Sequence, residues 1–412
     1  VIMDQFSDSG HMTTQIVKQV SDEIKVLMGG VYSTLNPEVA IEDPNIDFVI
    51  IGEGEEVLVE LLGFFEGRNP LPGKGICFRE NGSIQNRGMA DAIADIDKLP
   101  RPAYHLIPFE AYCNSAPRRG TIGAPPLYPY VRLLTSRGCP YGCAFCQIEH
   151  ISGRKFRPKS AENVLDEIQW LKETYHIQSL VFADDNFFLD RKRVVKILEG
   201  MIDRQLDMPW IAEDAAVFKL DKELLGLMKK SGCQYVGIAV ETGSKRVLKE
   251  IIKGKPVDFD HTIEMVREAR RLGIYMAANF IIGFPTETWD EIRQTLKFAE
   301  TIDADYVRFF AAIPLMKTRL WDLCVEQDAF ISGYDHFNVK SSWSSGLIET
   351  NEFSHDDLTI LRAYEWDRIN FSDASKRQRT AEMIKVSEQE LLEIRRNTLK
   401  SVHEKLAAGR EI

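Results

Sequence analysis

Three cysteines, Cys139, Cys143 and Cys146, lie within one stretch of eight residues. Three thiolates satisfy three irons of a cubane cluster and leave the fourth iron open, which an electron-transfer cluster with four cysteines does not. An open iron can bind a further ligand. Gly138 and Gly142 supply the turns that a tight loop around a cluster requires. The spacing therefore predicts a [4Fe-4S] cluster with one exchangeable iron.

Two other uses of these cysteines remain open. His150, four residues beyond Cys146, would complete a Cys₃His zinc site, although zinc ribbons usually draw their ligands from two separated knuckles. A purely structural cluster is the second alternative. The other four cysteines are isolated along the chain and are predicted to be small buried residues. They are Cys77, Cys113, Cys233 and Cys324.

Composition narrows the class of protein. The chain has 412 residues, of which 44% are hydrophobic and 27% charged, as in folded proteins of two or three domains. A net charge of −11 argues against a nucleic-acid partner. The sequence shows neither an apolar run long enough for a membrane span nor a secretory signal pattern. Seven cysteines, three of them clustered, favour a metal site over disulfides and predict a reducing cytoplasm.

Six β-rich runs alternate with amphipathic helical segments, which predicts a parallel, barrel-like sheet. The runs are 131–135, 179–183, 210–213, 235–240, 275–282 and 306–313. In such sheets the chemistry lies at the carboxyl ends of the strands. The cysteines directly follow the first run, so we expect the site at that edge.

The rest of the chain divides around this barrel. Strands at 25–28 and 47–51 and a helix at 56–65 indicate a Rossmann-like unit over residues 1–91, incomplete because a doubly wound sheet usually has five strands or more. A Pro-rich linker covers 92–130 and the barrel covers 131–318. Residues 319–412 are predicted to be mostly helical, with capping-box starts at Ser354 and Ser387. The predicted fold class is α/β.

The cysteine loop resembles that of the radical S-adenosylmethionine (SAM) superfamily, in which Cys-x3-Cys-x2-Cys binds a [4Fe-4S] cluster and an aromatic residue, here Phe145, precedes the last cysteine. The resemblance covers about residues 131–318 and implies a partial (β/α)6 radical SAM barrel. It also implies that SAM binds the open iron through its amino and carboxylate groups. One electron then splits SAM to a 5′-deoxyadenosyl radical.

The resemblance further implies residues that contact SAM at the strand ends. Asp184 and Asp185 end the second barrel strand, where the family binds the SAM amino group; capping of the next helix is the alternative. Glu241, in Val-Glu-Thr-Gly-Ser, resembles a segment that contacts the ribose or methionine end. Pairing of Glu241 with a core arginine is the alternative there.

Two more segments match the family. Gly283, in Gly-Phe-Pro-Thr-Glu-Thr, resembles the segment beside the adenine, and Glu287 is predicted to serve the following helix N-terminus. Arg157 and Ser160 match a segment after the cluster loop, with helix capping as the alternative for Ser160. The family's Pro-x-Pro-Gly-Thr is absent from residues 313–318, so the substrate-facing loop is expected to differ.

The N-terminal unit resembles the second half of the cobalamin-binding domain that precedes the barrel in B12-dependent radical SAM enzymes. Glycines after parallel strands let backbone amides approach a nucleotide tail and phosphate. A Rossmann-like domain without a cofactor is the alternative. No Asp-x-His-x-x-Gly motif is present, so cobalamin is expected without histidine ligation from it. The implied cobalamin contacts are Gly29, Gly30, Val31, Tyr32, Ser33, Thr34, Gly52, Glu53, Gly54 and Glu55.

Together these resemblances imply a cobalamin-dependent radical SAM methyltransferase that acts on a substrate carbon. A B12-dependent enzyme that catalyses a rearrangement or ring closure is one alternative, and a non-catalytic Fe-S protein that binds a partner or senses redox state is another. The expected partners are a small-molecule, lipid or peptide substrate and an electron donor such as flavodoxin or ferredoxin. Four aromatic residues of the C-terminal region either line the substrate pocket or close the barrel. They are Trp321, Trp343, Tyr364 and Trp366.

Overall fold

The N-terminal unit is a four-stranded sheet with four helices. The structure is a computed structural model that describes residues 6–113, 122–256, 258–334 and 346–409. The strands, in sheet order, are β1 (Leu27–Met28), β2 (Phe48–Ile50), β3 (Ile76–Glu80) and β4 (Ser83–Asn86). The helices are α1 (Ser7–Val20), α2 (Val31–Leu35), α3 (Pro37–Glu42) and α4 (Gly54–Phe65).

This sheet confirms the two predicted strands and adds a hairpin that we did not predict. β1 and β2 are parallel, whereas β2–β3 and β3–β4 are antiparallel. Asn81 and Gly82 form the turn between β3 and β4, and both have positive φ, 50° and 78°. Asn-Gly is the dipeptide that favours such two-residue turns, so the signal was present in the sequence. Helix α1 was also not predicted.

The central domain is a six-stranded, all-parallel sheet that confirms the predicted barrel strands. In sheet order the strands are β5 (Tyr130–Leu133), β8 (Ser179–Phe182), β9 (Trp210–Ala215), β10 (Cys233–Glu241), β11 (Tyr275–Ile282) and β12 (Tyr306–Ala311). Two short strands, β6 (Ser136–Arg137) and β7 (Arg157–Pro158), form a separate antiparallel pair. All four residues of β8 are buried, as expected for a parallel strand covered on both faces.

Helices lie before, between and after these strands along the chain. They are α5 (Phe109–Cys113), α6 (Ile148–Ile151), α7 (Ala161–Tyr175), α8 (Arg191–Asp203), α9 (Lys222–Lys230), α10 (Phe259–Leu272), α11 (Trp289–Thr301) and α12 (Arg319–Glu326). The C-terminal helices are α13 (His355–Phe371), α14 (Ala374–Ile384) and α15 (Glu388–Gly409). Across the four described ranges, no helix is long and apolar enough to cross a membrane.

Helix α13 covers the open edge of the sheet. Asn370 accepts a hydrogen bond from Val307 N (2.7 Å) and donates one to Val307 O (2.9 Å), so its side-chain amide pairs with β12 as a further strand would. Trp366 Nε1 donates to Tyr306 Oη (2.6 Å). These contacts satisfy backbone groups that an edge strand otherwise exposes. The capping boxes predicted at Ser354 and Ser387 are confirmed at the starts of α13 and α15.

Candidate functional site

The three clustered cysteines lie on the loop between β6 and β7, which pair at its base. All three thiols are free; Cys143 is buried, and Cys139 and Cys146 are half-buried. Burial raises the pKa of the Cys143 thiol to about 12 and also raises that of Cys146. Both thiols are therefore protonated at neutral pH, and ligation to iron would release their protons.

Among the residues that the structure describes, no three or more His, Cys, Asp and Glu side chains could together hold a metal ion. In a cubane each thiolate binds a different iron, so the three thiols lie farther apart than three ligands of a single ion. The cluster ligands therefore remain a prediction.

Other elements hold the backbone of the cysteine loop. Ala144 N donates to Ile252 O (2.9 Å), and Leu320 N donates to Ala144 O (2.8 Å). Gly254 has a φ of +78°, and a Cβ there would collide with the Tyr141 carbonyl. Only glycine permits this approach of the segment after β10 to the loop. We did not predict this role for Gly254.

An aromatic contact joins the cysteine loop to the end of β11. The ring centroids of Phe145 and Phe284 are 6.5 Å apart. Gly283 has a φ of +88°, and a Cβ there would collide with Leu358 of α13. The Gly283 segment therefore lies between the cysteine loop and α13.

Glu287 does not serve the N-terminus of α11, which corrects our prediction. Its Oε2 accepts from Gly283 N (2.6 Å) and Phe284 N (3.2 Å), and Thr288 with Glu291 forms the capping box of α11 instead. The bend after Gly283 turns those two N–H groups back towards Glu287. The spacing of residues in the sequence does not reveal this bend. Burial raises the pKa of Glu287 to about 8.

We expect Glu287→Gln to change how stability depends on pH. The native pKa, about 8, lies above the ordinary value of 4.5, so the favourable contribution is complete below pH 4.5 and is lost as pH rises through 8. Between pH 4.5 and about pH 8, the unfolding free energy of the wild type should fall by up to about 1.4 kcal/mol per pH unit relative to that of the variant. Urea unfolding at several pH values measures the difference. The exposed control Asp290→Asn should parallel the wild type, and a parallel Glu287→Gln curve would contradict the prediction.

The carboxylates that end β8 have different surroundings. Asp184 is buried, and its Oδ1 accepts from Thr135 N (3.0 Å), Thr135 Oγ1 (2.8 Å) and Ser136 Oγ. Asp185 is exposed to solvent, but desolvation of its carboxylate and the Asp184 charge raise its pKa to about 6. Neither caps α8, because Asp190 does.

Glu241 pairs with Lys255, a residue that we did not predict. Lys255 Nζ lies 2.7 Å from Glu241 Oε1; Glu241 is buried and Lys255 is half-buried. Burial opposes the charge of Lys255, but the Glu241 carboxylate outweighs it and raises the pKa of Lys255. Glu241 also has a φ of +71°, a left-handed conformation that is uncommon for residues other than glycine. Lys255 is therefore the partner of Glu241, in place of the core arginine that the sequence suggested as an alternative.

Further polar side chains link strands of the barrel that are not direct neighbours. Asn279 Nδ2 donates to Asp214 Oδ1 (2.9 Å), which joins β11 to β9 past the intervening β10. Arg308 Nη2 donates to Tyr235 Oη (2.8 Å). Asp214 is exposed as a residue, but desolvation of its carboxylate and the nearby Glu241 charge raise its pKa to about 6. The Asn279 Oδ1 atom is buried and has no hydrogen-bond partner within the described ranges.

Glu53, predicted to contact cobalamin, and Arg157, predicted to contact SAM, bind each other. Arg157 Nη1 donates to Glu53 Oε2 (3.0 Å) and Nη2 donates to Oε1. Arg137, at the other end of the cysteine loop, contacts Glu53 (3.1 Å) and Glu55. Ser160 caps α7 through Asn163 N (3.2 Å), as its alternative interpretation predicted. These ion pairs join the N-terminal unit to both strands that flank the cysteines.

The remaining residues predicted to contact cobalamin lie at the ends of β1 and β2. Gly30 (φ 112°) precedes α2, and Thr34 Oγ1 accepts from Gly52 N (2.9 Å), which links the two loops. Ser33 Oγ is buried without a partner in the described part of the chain, whereas Tyr32 Oη lies 3.0 Å from His11 Nε2. Helix α2 packs against α6, directly after the cysteines. Gly29 and Val31 flank Gly30, and Gly54 begins α4.

The C-terminal aromatic residues have separate positions. Trp366 is buried against Tyr306 and closes the barrel edge. Trp321 packs on Phe330, with ring centroids 4.9 Å apart. Tyr364 is exposed, and Trp343 lies outside the described residues.

Comparison with known proteins identifies the family of this architecture. The Radical SAM superfamily model matches residues 133–299. An uncharacterized methyltransferase of Pyrococcus horikoshii is 32% identical over 324 residues, 78% of this chain and 68% of the relative. Cytidylyl-2-hydroxyethylphosphonate methyltransferase of Streptomyces wedmorensis is 29% identical over 78% of this chain and 65% of its own length. The chain thus spans about two thirds of these relatives.

A solved structure shares the fold. The radical SAM methyltransferase TsrM of Kitasatospora setae, determined with cobalamin and a [4Fe-4S] cluster bound, superposes with a TM-score of 0.65 at 16% identity. The match covers 92% of this chain and 84% of that structure.

Proposed function

Because this chain belongs to the radical SAM superfamily, we propose that it methylates a carbon atom of its substrate with cobalamin as the methyl carrier. The observation that carries this proposal is the contact between the two units. Helix α2, which follows the glycine loop of β1, packs against α6, which follows the cysteines. A cofactor on the β1 loop would therefore lie beside one on the cysteine loop. The methyltransferase names of the relatives and the cofactors of TsrM support the proposal.

The residues of the barrel fit a cluster and SAM. Cys139, Cys143 and Cys146 would ligate three irons, and Phe145 would pack beside them. Asp185, whose charge acts on the Cys146 thiol, is open to solvent and free to accept from an ammonium group. Buried Asp184 Oδ2 has no partner among the described groups, so this strand end retains acceptor capacity.

Glu241 and Gly283 complete the proposed SAM site. Lys255 holds the Glu241 carboxylate in one orientation, and the Gly283 turn brings backbone close to the cysteine loop. Arg157 and Ser160 would act indirectly, because the first is engaged with Glu53 and the second with α7. Their part would be to position β7 and the cysteine loop.

The N-terminal loops fit cobalamin in part. Gly29, Gly30 and Gly52 allow close backbone approach, and the partnerless Ser33 Oγ offers a donor to a nucleotide tail or phosphate. Glu53 and Glu55 are engaged with arginines, so their part would be to position this unit on the barrel.

When bound, the cluster and SAM supply the radical that removes a hydrogen atom from the substrate, and cobalamin supplies the methyl group. The chain would position both and orient the substrate between them. Asp214, Asn279 and Arg308 present polar groups on the inner face of the barrel, where a substrate would lie. We propose a small-molecule, lipid or peptide substrate and a flavodoxin or ferredoxin as electron donor.

Quantification of the products tests this proposal. Anaerobic protein with cluster, cobalamin, reductant and SAM is incubated with candidate substrates. Each methylation should consume two SAM and two electrons and release one 5′-deoxyadenosine, one methionine and one S-adenosylhomocysteine. Methylated product formed without cobalamin would contradict cobalamin as the methyl carrier. Release of 5′-deoxyadenosine without S-adenosylhomocysteine would instead indicate a non-methylating reaction. No SAM cleavage by cluster-loaded protein with any substrate would favour the non-catalytic Fe-S alternative.

A further inference from the structure

An acidic cleft of about 380 Å³ opens beside the loop that follows β11. The loop at 285–287 forms one wall, the segment 327–329 directly after α12 another, and the segment 349–352 before α13 a third. The cleft lies within the volume range of small-molecule sites in proteins. Four carboxylates line it, and they are Glu287, Asp328, Glu349 and Glu352.

The positive charges near this cleft do not balance its carboxylates. No lysine or arginine is among the residues that line it in the described part of the chain. His355 Nδ1 lies 2.5 Å from Glu349 and its Nε2 lies 3.4 Å from Asp356, so one imidazole serves two carboxylates. Arg246 donates to Thr286 O (2.6 Å), but its guanidinium is paired with Glu291. The surplus of negative charge favours a cationic ligand.

Glu287 contributes a buried oxygen without a hydrogen-bond partner to the wall of this cleft. It is only 1% exposed, and its Oε1 has no hydrogen-bond partner in the described ranges. Its Oε2 holds the N–H groups of Gly283 and Phe284, so Oε1 remains as an acceptor on the same side chain. Burial without a donor at Oε1 disfavours the ionised carboxylate, and a bound cation would favour that ionised form.

We propose that this cleft binds an organic ammonium ion. Within the described residues, no three carboxylates are arranged to hold one metal ion, whereas an alkylammonium uses hydrogen bonds to acceptors several ångströms apart. Four carboxylates along a 380 Å³ cleft suit a short aliphatic diamine. The ammonium would bind Glu287 Oε1 at one end and the exposed Asp328 and Glu352 carboxylates at the other.

Binding of an ammonium ion in the cleft would affect the candidate active site through the Glu287 side chain. Glu287 joins the cleft to the Gly283 turn, and Phe284 of that turn contacts Phe145 beside Cys146. A bound ammonium would hold Glu287 in place and thereby stabilise the turn. The site itself requires neither the cluster nor the methyl-transfer reaction, so the proposed function can fail without affecting this inference.

Calorimetric titration of the cofactor-loaded full chain with putrescine tests the proposal. The neutral isostere 1,4-butanediol and Mg²⁺ serve as comparison ligands. We expect one saturable putrescine site per chain. At a pH above 8, where Glu287 is ionised, Glu287→Gln should bind at least about tenfold more weakly, because its amide oxygen can still accept from Gly283 N and Phe284 N but carries no charge. Asp328→Asn, at an exposed position that does not endanger folding, should weaken binding about threefold or more.

The control variant is Glu199→Gln, an exposed position on α8 outside the cleft, which should bind like the wild type. Absence of saturable binding, equal heats from putrescine and butanediol, or saturation by Mg²⁺ alone would overturn the proposal. Equal weakening in Glu199→Gln would also overturn it, because that result indicates nonspecific charge attraction. Undiminished affinity in both cleft variants would place the amine elsewhere.

Discussion

Cys143→Ala should lose the iron-sulfur cluster and, with it, all reductive cleavage of SAM. Reconstituted wild type is expected to contain about four irons and four sulfides per chain, held by three thiolates. Cys143 is the most buried of the three, and the adjacent Ala144 is held on both sides by backbone hydrogen bonds. These bonds hold the loop, so we expect no other side chain to replace the Cys143 thiolate. Iron and acid-labile sulfide analysis with visible absorption measures the loss.

Cys113→Ala is the matched control for this prediction. Cys113 is also a free, half-buried thiol, but it lies on α5 outside the loop. This variant should keep its cluster and its SAM cleavage. The cluster assignment fails if Cys143→Ala retains four irons with sulfide. It also fails if the wild type binds stoichiometric zinc without sulfide, which is the Cys₃His alternative.

Glu53→Ala should be the most destabilising single truncation at the junction of the two units. The Arg157 side chain is 3% exposed and that of Glu53 is 9% exposed, so the variant leaves a buried guanidinium without its carboxylate. Removal of one partner from a buried ion pair lowers the unfolding free energy by about 3–5 kcal/mol. Ser152 O (2.9 Å) and Ile93 O (2.6 Å) still accept from Arg157, but they carry no charge. Urea unfolding under anaerobic conditions measures the change.

Glu55→Ala provides the comparison two residues away. Its partner is also an arginine, Arg137, but the side chains are 41% and 27% exposed. A solvated pair contributes about 1 kcal/mol or less, so this variant should remain near the wild type. Equal effects of the two truncations, or a small effect of Glu53→Ala, would show that burial of the Glu53–Arg157 pair does not govern this junction. SAM cleavage should fall with the stability of Glu53→Ala, because Arg157 anchors the strand that closes the cysteine loop.

Local sequence patterns predicted the six barrel strands and the loop that presents the cysteines. The runs that became β8 and β11 are hydrophobic because both faces of a parallel strand are buried, and this pattern is readable without any partner. Turn and cap chemistry is equally local, so Ser160, Ser354 and Ser387 begin helices where their spacing predicts. The Asn81-Gly82 hairpin shows the same rule, because its signal was present although we did not use it.

Partners distant in sequence could not be predicted in this way. Glu53 and Arg157 are 104 residues apart, and each matched a different cofactor motif until the fold paired them. The role of Lys255 was not predicted because it depends on an ion pair with Glu241 at the end of β10. Asn279 reaches Asp214 only because the fold places β9 and β11 on either side of β10.

The sequence by itself therefore determined which residue types end each strand and where the thiols lie, because helix, strand and turn preferences act over a few neighbouring residues. Only the tertiary structure decided which of those groups stay available for a ligand and which are already bound to one another. Hydrogen bonds and ion pairs form wherever the packed chain brings donors and acceptors within about 3 Å, whatever their separation in sequence. Asp185 remains open, whereas Glu53 is engaged, and no motif distinguishes them.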